Sequence, residues 1–338
     1  MIATGTHTTT ATMTYEPVAK ASVFGRICLI NLALLAASML AGCGGSSSAT
    51  GSNSTLNLSL ADGPIDSASN VVVEFTGVQL QPSGGGSATT FNFSSPKQID
   101  LLTLQNGNAA ALLSGASVPA GNYDWVRLLL NVGAGNVVAG SYIEISGAQY
   151  PIMVPSGAQT GLKLVQGFTM TANQVANFTI DFVLQQAITA PPGQTAGGVQ
   201  AYLLRPALRL IDTVQAGNIT GTVALSTLQG LSSSCFDSTG AVAAHVYMFS
   251  GTNATLTDIQ IDPTTGLPPA GHINPVVTTP VTINGSGQYV YTQDFLLAGT
   301  YTLAVACGTD DSSAAETLAF TAPQSATAVA HQTTTANF

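Results

Sequence analysis

Charge is the scarcest commodity in this chain. Only 7% of its 338 residues are Asp, Glu, Lys or Arg, against roughly a quarter in an average soluble domain. Helical bundles lean on Lys, Glu and Arg for their outer faces, so a mainly helical fold is disfavoured. Disorder is disfavoured too, because it goes with low apolar content and high charge, and here 45% of residues are apolar. Positive charge is rarest: seven Lys and Arg in all, two of them (Lys20 and Arg26) before Cys43, and no basic run anywhere. Beyond Cys43 five bases face fifteen acids. A nucleic-acid partner is disfavoured and none is expected, since phosphates need a cationic footprint.

The usual catalytic signatures are also missing. There is no GxSxG elbow for a serine hydrolase and no HExxH for a zincin. His245, His272 and His331 lie singly in an apparent strand, a Pro/Gly loop and the tail, where structural or solvated roles are the ordinary ones. No cofactor is implied. The four cysteines form no CxxC and match no zinc spacing.

What is present begins with an export signal. Ile27–Leu40 is apolar apart from Asn31 and follows Lys20 and Arg26, a charged segment before a core of signal-peptide length. It is shorter than the roughly 20 residues of a membrane-spanning helix. Leu40, Ala41 and Gly42 then precede Cys43 and resemble the lipobox of bacterial lipoproteins: small residues admit a peptidase, and the Cys43 thiol accepts diacylglycerol. The start could be Met1 or Met13. The expected partner is thus a membrane, held through the lipid on Cys43, because two acyl chains anchor where one does not. Gly44 in place of Asp points by resemblance to the outer membrane. Residues 43–54 form a Gly/Ser tether.

From Leu56 onward the pattern is period two. Leu56, Leu58 and Leu60 alternate with polar residues, as do Phe178, Ile180 and Phe182, and Val71, Val73 and Phe75 keep the same period with Val72 and Glu74 between them. Short alternating segments bounded by Gly, Pro and Asn predict strands, and many of them predict sandwiches or barrels. The expected fold is all-β, with two antiparallel β-sandwich (Ig-like or transthyretin-like) domains at 55–213 and 217–338, after a signal at 1–42. A helical turn or two is expected within Leu101–Leu113. The tail from about Ala322 reads as an edge strand or a frayed end. Ala120-Gly121-Asn122-Tyr123 and Ala298-Gly299-Thr300-Tyr301 echo each other before apolar strands, and this reads as a recurrent turn. Cys28 falls in the signal and Cys43 takes the lipid, which leaves Cys235 and Cys307 for a disulfide in an oxidising compartment.

Three sets of residues are candidate ligand sites. Tyr123 and Trp125, two apart, would share a strand face and could stack on sugar rings, although such pairs more often fill a core. Asp258, Asp262, Asp310 and Asp311 supply loop oxygens of the kind calcium takes, without EF-hand spacing, so solvated loop acids are the preferred reading. Asp62 and Asp66 could serve an acid-based hydrolase, but Asp before Gly-Pro is ordinary turn chemistry. Asp100, Asp124 and Asp181 recur near strand ends, and Arg205 and Arg209 are expected to pair with strand acids.

LSLADGPID (Leu58–Asp66), VVVEFTGVQLQP (Val71–Pro82), IDLLTLQNG (Ile99–Gly107), LLSGASVPAGNYDWVRLLL (Leu112–Leu130), YPIMVPSGAQTGLKLVQGF (Tyr150–Phe168) and LLRPALRLI (Leu203–Ile211) together resemble domain-of-unknown-function family 4382 of bacterial lipoproteins. The resemblance implies an extracytoplasmic β-sandwich and carries no catalytic residues. NITGTV (Asn218–Val223) and FLLAGTYTLAVAC (Phe295–Cys307) resemble the transthyretin-like or carboxypeptidase-regulatory sandwich, an accessory module. The expected function is a lipid-anchored, non-catalytic binding or structural module of the cell envelope, with an envelope protein or polysaccharide as its partner. The alternatives are a carbohydrate-binding lipoprotein and an acid-residue hydrolase.

Overall fold

A computed structural model describes residues 52–338, apart from 64, 66–67, 106, 156, 158–160 and 309, and apart from the side chains of Asp62 and Ser233. The signal, the lipobox Leu40–Gly42, Cys43 and most of the tether lie outside the described residues. Thr50–Phe338 forms one compact unit.

Strands dominate, and the alternation read from the sequence is the alternation of burial. In the strand Asn53–Asp62, Leu56, Leu58 and Leu60 are buried while Thr55, Asn57 and Ser59 are only half-buried. The strand begins at Asn53, so the last two tether residues are already paired. It is the centre of a four-stranded sheet with Ala110–Pro119, Val175–Phe182 and Leu208–Asp212. A nine-stranded sheet is built around Asn70–Pro82, which pairs with Thr89–Asp100 on one side and with Val137–Ile145 and Gly121–Leu130 on the other. Leu56, Leu58 and Leu60 share a core with Val71, Val73, Phe75 and Leu128.

Burial along Asn70–Pro82 changes phase. Val71, Val73 and Phe75 are buried, then Val78 and Leu80. The register slips at Gly77, where a Cβ would lie 2.5 Å from the Phe91 carbonyl oxygen. A bulge there turns the second half of the strand over, and only glycine fits.

A second pair of sheets follows. One contains Ala216–Val223, Tyr289–Leu297, Thr282–Ile283 and Thr333–Thr335; the other contains Ala244–Ser250, Val277–Pro280, Gly299–Cys307 and Gln324–Ala328. Ile219, Val246, Val277, Tyr291, Leu303 and Val305 form their shared core. A smaller cluster of Tyr247, Phe249, Ile259, Ile261 and Ala306 packs the long segment after Ser250 against the other face of Ala244–Ser250, so that strand is buried on both sides. The all-β sandwich class is therefore seen in both halves. Within it three strand pairs run parallel: Asn53–Asp62 with Val175–Phe182, Ala148–Met153 with Tyr202–Leu204, and Ala216–Val223 with Thr333–Thr335.

Two local expectations are refined. Leu101–Leu104 is a 3-10 turn, capped by the Asp100 carboxylate accepting from the Leu102 amide; the end of the expected helical stretch, from Ala110, belongs to the strand Ala110–Pro119. The tail is ordered into strands. Thr333–Thr335 runs beside Asn218–Thr220, and a Cβ at Gly221 would lie 1.7 Å from the Ala336 carbonyl oxygen, so this close approach requires glycine.

Candidate functional site

Cys235 and Cys307 are bonded, with Cα atoms 4.6 Å apart. The bridge ties the segment after the helix Leu225–Leu231 to the end of the strand Gly299–Cys307, inside the second core.

Tyr123 and Trp125 do not share a face. Tyr123 is 2% exposed and sits in the core, stacked on Phe168 with ring centroids 5.1 Å apart. Its hydroxyl donates to the Pro119 carbonyl at 2.8 Å, and burial raises its pKa. A second register slip, between Gln81 and Pro82 opposite Trp125 and Tyr123, flips the strand between them. Trp125 therefore lies half-buried on the other face. There the Arg127 guanidinium and the Lys163 ammonium sit 4.6 and 4.7 Å from its ring centroid, a cation–π arrangement. Arg127 also donates to Gln79 Oε1 at 3.2 Å, and burial lowers its pKa.

The four loop acids do not converge. Among the described residues no three His, Cys, Asp or Glu side chains are grouped to hold a metal ion. Each acid instead accepts hydrogen bonds from its own neighbourhood. Asp262 accepts from the Thr264 and Thr265 amides, bonds that hold its pKa low. Asp311 accepts from the Ser313 amide and hydroxyl. Asp258 accepts from Gln260 Nε2 and the Glu316 amide. Asp310 is buried, accepting from the Tyr247 hydroxyl at 2.8 Å and the Ile259 amide at 3.0 Å, and burial pushes its carboxyl up to about 6. The expected solvation holds for Asp262 and Asp311, which cap exposed turns, but not for Asp258 and Asp310, which are buried and held by backbone and side-chain donors. Asp66 lies outside the described residues, as does the side chain of Asp62. Asp181 pairs with Arg209 across adjacent strands, its side chain 3% exposed. Arg205 does not meet a strand acid.

The residues that do converge lie where the two pairs of sheets meet. Arg205 donates to the Thr189 hydroxyl and to the Pro263 and Thr264 carbonyls, at 2.6 and 3.4 Å for the last two. The Asp262 turn presents those carbonyls, so this acid builds the seam. Gln186 Nε2 donates to the Pro275 carbonyl at 2.9 Å, and the Thr278 hydroxyl donates to Gln185 Oε1. Beside these bonds lies a cavity of about 500 Å³. Its lining includes Ile143, Ile145, Ile188, Tyr202, Gln185 and Asp310. Tyr202 packs edge-on against Tyr150, and its pKa is raised by burial and then by Tyr150 and Asp311. Gln185 and Gln186 escaped the sequence reading. Their signal is visible in FVLQQAI (Phe182–Ile188), two amides in an otherwise apolar run.

With this geometry in place the chain can be compared with known proteins. Residues 53–206 match the family model described as a domain of unknown function, DUF4382. The DUF4382 region takes in the nine-stranded sheet and all of the first four-stranded sheet except the strand Leu208–Asp212; the second pair of sheets falls outside it. No curated protein matches the chain. Among solved structures, a leucine-rich repeat protein from Bacteroides thetaiotaomicron is 11% identical, with 85% of this chain and 26% of that one covered and a TM-score of 0.17. The TIE protein of Bacillus anthracis is 9% identical, with 85% and 33% covered and a TM-score of 0.18. The minor pilin GBS52 of Streptococcus agalactiae is 10% identical, with 83% and 94% covered and a TM-score of 0.18. The chain spans only 26% and 33% of the first two proteins. Overlays this loose carry no argument about what the chain does.

Proposed function

We propose that the chain is a lipid-anchored module of the cell envelope, attached through Cys43, whose two sandwiches bind or brace an envelope partner without catalysis. The outer membrane is the proposed location. The observation that carries the reading is the Cys235–Cys307 disulfide, a bond that persists in oxidising, exported compartments. The DUF4382 match over residues 53–206 supports it, as does the use of the loop acids and Arg205 in turns and seam. The second pair of sheets is read as a transthyretin-like accessory domain, with the domain boundary at 213–217. Metabolic labelling with palmitate and membrane fractionation test the anchor. Wild type is expected to take up label and sediment with membranes, and Cys43→Ser to do neither; equal labelling of both would overturn the reading.

A carbohydrate-binding role has one observation in its favour, Trp125 on the outer face between two cations. That arrangement suits an acidic polysaccharide, whose carboxylates Arg127 and Lys163 would meet. Quenching of Trp125 fluorescence by polygalacturonate, lost in Arg127→Gln, is the expected result; an unquenched signal removes this reading.

A further inference from the structure

The cavity beside the seam holds an unsatisfied group. Gln185 is 3% exposed, its Oε1 accepts from Thr278, and its Nε2 has no hydrogen-bond partner among the described residues. A buried N–H left unpaired costs on the order of 1–3 kcal/mol, so such a group in a native structure calls for an acceptor from elsewhere. Gln185 lines a space of about 500 Å³, within the range of small-molecule sites, roughly 300–1,000 Å³. The cavity's walls divide by character. Ile143, Ile145, Ile188 and the Tyr202 ring are apolar; Asp310, Asp311, Ser312 and Ser313 form the polar part. Among the described residues no Lys, Arg or His lines it, and Arg205 is engaged by Thr189, Pro263 and Thr264.

We propose that this cavity binds a small uncharged amphiphile, an apolar body carrying a hydroxyl or carbonyl oxygen that accepts a hydrogen bond from Gln185 Nε2. The apolar body lies on the isoleucines and Tyr202. Carboxylates on the polar wall and no cation among the lining residues disfavour an anion. Because strands of the first half and the loop Asp310–Ser313 of the second contribute walls, an occupant would brace the seam from within. The proposal is independent of the lipid anchor, which can fail without affecting it.

The test uses the full chain in the state in which it fractionates, with identical preparations for wild type and variants. The probes are 4-fluorobenzyl alcohol and 4-fluorobenzoate, followed by fluorine NMR line broadening. The alcohol is expected to broaden with wild type and the benzoate to stay sharp. Ile145→Trp fills the cavity from a half-exposed strand end and is expected to abolish the broadening at an unchanged melting temperature. Gln185→Met keeps the side chain's size and is expected to weaken binding about fivefold, the worth of one hydrogen bond. A sharp alcohol signal with wild type, equal binding of benzoate, or full binding by either variant overturns the proposal. Should Ile145→Trp melt early, the Gln185→Met affinity decides alone.

Discussion

The two halves of the body turn the same corner and are held by different means. In the first, the Tyr123 hydroxyl donates to the carbonyl of Pro119; in the second, Tyr301 donates to Leu297. Both reach four residues back at 2.8 Å, from the start of a strand that enters the core. The first half then relies on a large continuous core and one buried ion pair, Asp181–Arg209. The second has a smaller core, a long segment after Ser250 with little regular structure, and a disulfide. The contrast teaches that a shared corner does not bring a shared mode of support. Where the core is thin, a covalent link supplies what burial does not.

Breaking that link should separate the halves most. Replacing Cys235 and Cys307 by Ser opens a 72-residue loop and is expected to destabilise by about 4 kcal/mol. Trp125 is the only tryptophan and lies in the first half, so its fluorescence reports that half while circular dichroism reports both. If the halves unfold apart, only the second transition moves in urea; if the seam couples them, both move. Arg209→Met is the reverse experiment. It strands the Asp181 carboxylate and is expected to cost about 3 kcal/mol, seen first in the Trp125 transition.

Acidity should divide the halves next. Burial raises the Asp310 carboxyl to about 6 when folded, against about 3.9 unfolded. The folded state therefore binds the proton more tightly. Its contribution to stability is fully present below about pH 4 and is lost as pH rises through about 6, an effect on the order of 2 kcal/mol. Asp310→Asn is expected to flatten this slope in the second half and leave the Trp125 transition unchanged; urea midpoints between pH 4 and 7 check it. The smallest effect tests the likeness itself. Tyr123→Phe and Tyr301→Phe should each cost about 1 kcal/mol, and a large inequality between them would show that the two corners are not equivalent.

Much of this was legible in the sequence. The strands with strict alternation, such as Leu56 to Leu60, fall where the period places them, and elimination among four cysteines finds the bridge. The Tyr123 and Tyr301 echo was visible, but its hydrogen bond was not, because an acceptor four residues back leaves no mark in composition. Tyr123 fills the core, the commoner role of such pairs, but Trp125 does not share its face, for one physical reason. Period two holds only while register holds, and the bulge opposite Gln81 and Pro82 breaks it. The four loop acids shared a composition, but the donors that hold each of them, such as the Tyr247 hydroxyl on Asp310, come from the fold. The seam cavity gathers Ile145, Gln185, Tyr202 and Asp310 from segments far apart in the chain, and only the fold brings them together.

The strand Thr333–Thr335, lying parallel to Asn218–Thr220, has a consequence for how the body is made. A chain leaving the ribosome emerges from its N-terminal end. The strands of the first half are all out by Asp212, and that half can close while the rest is still in transit. Thr222 must wait for Asn337, 115 residues later, to reach it. Through that interval the edge of Ala216–Val223 carries Gly217 and Gly221 bare, shaped for a neighbour that has not arrived. The hazard of mispairing is therefore concentrated late in synthesis and in the second half, the half that the Cys235–Cys307 disulfide ties together.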